Sequence, residues 1–106
     1  MAWIYLVTAG ILEVVWAFAM KQSDGFARLG PTAIMAAAMA GSVGFLALAM
    51  RTLPLGTAYT IWTGIGAVGA FLVGLAVLGE AASATRLLAA GLIASGLVLM
   101  KLSSPA

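Results

Sequence analysis

Residues 3–20 read WIYLVTAGILEVVWAFAM, eighteen positions with a single charged side chain, Glu13. A helix over this stretch rises about 1.5 Å per residue and spans roughly 27 Å, enough to cross the hydrocarbon core of a bilayer. A carboxylate near the middle of such a helix carries an insertion cost of about 3 kcal/mol. Two readings account for it: a buried structural hydrogen bond, or an ion or proton site. Ionisable groups inside membrane spans are as a rule functional, which favours the second.

Composition supports the membrane reading. Hydrophobic residues make up 64% of the 106-residue chain and charged residues 8%, against about 45–50% and 25% in soluble domains. A soluble fold of this size has no interior large enough for that much apolar surface, so an integral membrane protein of one domain, residues 1–106, is expected. There is no cysteine and no histidine. No disulfide framework is expected, and the usual proton relay and commonest metal ligand are both missing. Neither a cofactor nor a metal site is expected. The five basic residues are dispersed, without the patch that nucleic acid requires. The N-terminus lacks the basic region of a secretory signal, and the first apolar stretch is read as a retained helix.

Three further apolar stretches follow, at about residues 31–50, 57–78 and 82–102. An Asp24-Gly25 turn signal and the charges Lys21 and Arg28 separate the first two. Pro31 suits a first helical turn, where its missing N–H is not needed. Arg51 and the Leu53-Pro54-Leu55-Gly56 segment end the second stretch, and Gly79-Glu80 the third. The fourth has an uncharged core of only 14 residues, 87–100, and spans if Arg86 and Lys101 reach outward. The runs are continuous, without the alternation of a barrel strand. The fold class is therefore all-α, with four transmembrane helices.

Charge bears on orientation. Lys21, Arg28 and Arg86 fall on one side of the membrane, and Arg51 and Lys101 on the other. A basic excess fixes topology, and here it is nearly absent. One reading is a single orientation with both termini outside. The other is insertion in both orientations. The second supplies the two inverted halves that transporters commonly rock about a midplane site, as an antiparallel pair that brings two Glu13 side chains together.

Several residues accompany Glu13. Gly10, Glu13 and Ala17 share a helical stripe, where small residues leave room for a ligand or for close helix packing. Trp16 lies one turn away, and its indole N–H wants an acceptor; packing against lipid or a helix is the alternative. Ser42 is the polar side chain near the middle of the second stretch, able to donate to Glu13 or to bond its own helix. In the third, GTAYTIWTGIGAVG, Tyr59, Trp62 and Gly66 share a stripe, with Thr63 beside it. Aromatic faces opposite a carboxylate suit a cation. Glycines 64, 66 and 69 allow a bend, with Gly64 and Gly66 as candidate hinges, or simply a packing groove. Gly91 and Gly96 read as packing alone. A proton or a cation neutralises a lone buried carboxylate, and the two compete. Such competition yields exchange, with protons entering as a cation leaves.

With Glu13, the segment MKQSDGFARLGP and the motif LPLGTAYTIWTGIGAVG, the chain resembles the small multidrug resistance transporters over essentially its full length. Trp16 within EVVWAFAMK makes it similar to the guanidinium exporter subtype. Quaternary-ammonium exporters tend to have glycine at the position of Trp16 and tyrosine at that of Met39. The resemblance implies an antiparallel, dual-topology homodimer in the bacterial inner membrane, exchanging guanidinium for protons. It implies that Glu13 binds both, that Trp16 and Ser42 hydrogen-bond its carboxylate, and that Tyr59 and Trp62 line the site. Guanidinium is planar and rich in donors, and its fork matches a carboxylate. A quaternary-ammonium exporter and a non-transporting membrane assembly subunit are the alternative functions. An enzyme is not expected, for want of a nucleophile–base pair.

Overall fold

Long apolar runs without an interior proline fold here as four helices. In the structure, a computed structural model that describes residues 2–103, these are α1 (Ala2–Gln22), α2 (Leu29–Ala49), α3 (Leu55–Ala76) and α4 (Ala84–Ser103). There is no strand among the described residues. All four helices are long and apolar enough to cross a membrane.

The connections are short, and side chains close them. After α1, the Ser23 hydroxyl donates to the Met20 carbonyl (2.7 Å) and accepts from the Phe26 N–H (3.1 Å). That buried serine braces Asp24, Gly25 and Phe26, all at positive φ. α2 begins at Leu29, so Pro31 lies within its first turn, where no intrahelical N–H is lost. Leu53 bonds back to the Ala49 carbonyl, and Pro54 starts α3. Gly79, left-handed at φ +67°, follows α3 and lets the Glu80 N–H return to the Gly74 carbonyl. α4 starts at Ala84, two residues beyond Ala82, because the Ser83 hydroxyl accepts the Arg86 N–H (3.1 Å) as its cap.

The helices form a layer in the order α2, α1, α3, α4, with α1 packed most extensively on α2 and then on α3. The chain measures 43 × 34 × 16 Å. Its buried cluster joins Leu6 and Ala9 of α1, Leu46 and Ala49 of α2, Leu53, and Ala58 and Ile61 of α3. Small residues recur at these contacts, as expected where lipid removes the hydrophobic drive and close backbone approach must hold helices together. Large side chains such as Ile11, Ile34, Leu72 and Leu92 point outward. α4 buries no residue. It rests on α3, and Lys101 Nζ sits 4.3 Å from the centroid of the Trp3 ring on α1.

Candidate functional site

α1 and α3 meet through glycines, and that contact places Glu13. Gly10 faces Ile65, and Gly69 faces Val14. Gly66 faces Glu13: a Cβ there would overlap the Glu13 Oε1, Cδ and Cγ atoms. The order of these pairs along both helices means that α1 and α3 run in the same direction. The carboxylate therefore lies in a notch that only glycine provides. Its Oε1 is buried and has no hydrogen-bond partner. One turn on, the Trp16 indole Nε1 is also buried and unpartnered.

Among the described residues, the other buried side-chain polar atoms have partners. Thr8 and Ser95 donate to carbonyls of their own helices, both at 2.8 Å. Ser42, fully buried, does otherwise. Its hydroxyl donates across to the Ala9 carbonyl of α1 (2.6 Å) and accepts from Trp62 Nε1 of α3 (2.9 Å). Three helices are thus pinned at one hydroxyl. In an α-helix the Ala9 carbonyl also accepts the Glu13 N–H, so this pin lies one turn from the carboxylate. Tyr59, half exposed, sets its ring 5.2 Å from that of Trp62, tilted by 57°.

These positions differ in part from the sequence expectations. Neither Ser42 nor Trp16 bonds the Glu13 carboxylate in this chain. The reason for Ser42 is packing: Ala9, with its small side chain, exposes a carbonyl to α2, and a buried hydroxyl donates to the acceptor it meets. Gly10 seats Ile65. α3 passes unbroken through Gly64 and Gly66; Gly64 seats Leu97 of α4 while Gly66 seats Glu13. The Ala9 carbonyl went unnoticed in the sequence, since a backbone acceptor leaves no residue-type signal.

Two donors or acceptors left buried without partners cost about 1–3 kcal/mol each, and here they are neighbours on one helix. A buried carboxylate oxygen and a buried N–H one turn apart on a helix, with aromatic rings one turn away, suit a ligand with donors and positive charge. These features define a multi-pass membrane protein with a single acid in the middle of its spans. Residues 1–93 match the family described as Small Multidrug Resistance protein, and the chain belongs to that family. It is 57% identical over 104 residues to the protein named Guanidinium exporter from Yersinia pseudotuberculosis serotype I, covering 98% of this chain and 100% of that one. Identity is also 57% to the proteins of that name from Citrobacter freundii and Salmonella typhimurium, with 98% of this chain and 99% of each relative covered.

Proposed function

We propose that the chain exports guanidinium in exchange for protons across the bacterial inner membrane, working as an antiparallel pair of identical four-helix units inserted in both orientations. The observation that carries this reading is the unpartnered Glu13 Oε1 held in the Gly66 notch, with the unpartnered Trp16 N–H one turn away on the same helix. A carboxylate so placed takes either a proton or a donor-rich cation. Guanidinium offers two parallel N–H groups to it. Relatives that carry the name Guanidinium exporter at 57% identity support the choice of cation. The near balance of basic residues on the two sides, Lys21, Arg28 and Arg86 against Arg51 and Lys101, supports dual insertion. A single layer of four helices needs a second copy to enclose a chamber around Glu13. In this reading Ser42, Trp62 and Tyr59 hold the chamber wall, and Gly64 and Gly66 let α3 slide against its neighbours as access alternates.

The test is current recorded on a solid-supported membrane. Wild-type proteoliposomes should give guanidinium-driven current, and Glu13→Gln none, with dimer formation intact by cross-linking. Equal current from tetraphenylphosphonium would move the reading to a quaternary-ammonium exporter. Absence of current from wild type with every cation would leave the assembly subunit.

A further inference from the structure

A cavity opens at the membrane face where α1 and α3 end and α4 begins. It has a volume of about 360 Å³. Its mouth carries Lys21, Glu80 and Arg86; its walls include Val14, Phe18 and Phe71. Val14 lies seven residues before Lys21 on α1, so the apolar floor sits about 10 Å deeper than the mouth. The groove thus runs from a charged rim into the depth of the acyl chains.

Two of the charges at its rim, Glu80 and Arg86, are oddly placed for a chain on its own. Glu80 folds its carboxylate against Gly74 in the closing turns of α3, where the helix end is already negative. Arg86 stands in the first turn of α4, where the helix end is already positive. Each is at the end of a helix that its own sign disfavours. Neither forms an ion pair among the described residues. The Arg86 guanidinium is held in place all the same, 5.5 Å from the centroid of the Phe71 ring. A ring contact of this kind leaves guanidinium N–H groups available to meet oxygens.

We propose that this groove binds a phospholipid whose headgroup carries both a phosphate and a primary ammonium, a phosphatidylethanolamine. The phosphate lies at the α4 N-terminus between Arg86 and Lys21, where guanidinium, ammonium and helix end all favour an anion. The lipid ammonium lies at the α3 C-terminus and donates to Glu80. One acyl chain follows the floor past Phe71 and Phe18 toward Val14. An anionic lipid without an ammonium satisfies the two cations and leaves Glu80 facing negative charge. A trimethylated headgroup satisfies the charges and donates no hydrogen bond. The site does not depend on what the chain transports.

Native mass spectrometry of the full chain in detergent, with equal amounts of phosphatidylethanolamine, phosphatidylcholine and phosphatidylglycerol of matched acyl chains, tests this. Wild type should retain phosphatidylethanolamine at least about threefold over either competitor, a factor typical of one solvent-facing ion pair. Glu80→Gln, at an exposed position, should bring phosphatidylethanolamine down to the level of phosphatidylcholine. Lys21→Gln and Arg86→Gln should weaken retention of all three, and the lipid-induced rise in melting temperature should shrink in parallel. Equal retention by wild type, preference for phosphatidylglycerol, or an unchanged preference in Glu80→Gln overturns the proposal. So does a Glu80→Gln variant that loses cation flux while keeping its lipid preference, since the groove would then be a vestibule for the cation.

Discussion

The Glu13 carboxylate rests on Gly66, across the contact between α1 and α3. No side chain fits between them. Gly66→Ala therefore pushes the carboxylate out of its notch or drives the two helices apart. Overpacking of this kind costs about 1–3 kcal/mol, so guanidinium flux in proteoliposomes should fall at least about tenfold. Gly30, in the first turn of α2, whose added Cβ would meet nothing, is the control: Gly30→Ala should keep flux within about twofold.

In the proposed exchange, competition between proton and cation at Glu13 sets the sign of the pH response. The cation binds the ionised carboxylate, and acid removes that form. Guanidinium affinity should thus be constant at high pH and fall as pH drops through the titration of Glu13. Below it, each pH unit should weaken binding about tenfold per proton displaced. A pair of Glu13 residues sharing one cation steepens the limit to about a hundredfold. Tryptophan fluorescence titration from pH 5 to 9 reads both the direction and the slope.

The Ser42 pin lends itself to a double-mutant cycle. Ser42→Ala leaves the Trp62 N–H buried without an acceptor, at a cost of about 1–3 kcal/mol. Trp62→Phe removes that donor, and Ser42 still donates to the Ala9 carbonyl. The pair of substitutions should consequently be less damaging than the sum of the singles, by about 1 kcal/mol. Thermal unfolding in a single detergent gives all four values. Additive losses would mean that the hydrogen bond contributes nothing to holding the three helices together.

The spans and the acid were legible in the sequence because each is a local property. A run of apolar residues marks a span by its length, and Glu13 stands out as the one charge inside it. Glycines 64, 66 and 69 were visible as a cluster, yet their partners were not. Which glycine meets Glu13 and which meets Leu97 depends on the rotation of α3 about its axis. Ser42 was visible as a buried hydroxyl. Its acceptor was not, because a carbonyl on α1 becomes available only when two helices approach. The start of α4 shifted from Ala82 to Ala84 for a smaller reason, a serine cap at Ser83 hidden among alanines.

Under the proposed function, Trp16 is the residue expected to govern which cations the site accepts. Its indole is half-buried one turn from Glu13, and its N–H lacks an acceptor within the chain. The ring lies one turn along α1 from the carboxylate, and its N–H is free to order a carboxylate oxygen when the site is assembled. Trp16→Phe keeps most of the bulk and removes the donor. It should lower guanidinium exchange by about tenfold, the worth of one hydrogen bond to a charged group, without admitting larger ions. Trp16→Gly removes bulk and donor together. It should lower guanidinium exchange at least as far and open the site to quaternary ammoniums that wild type rejects. Currents from guanidinium and tetraphenylphosphonium, measured on the same three proteins, separate the two contributions. If Trp16→Phe alone admits tetraphenylphosphonium, selection rests on the hydrogen bond and not on the volume of the ring.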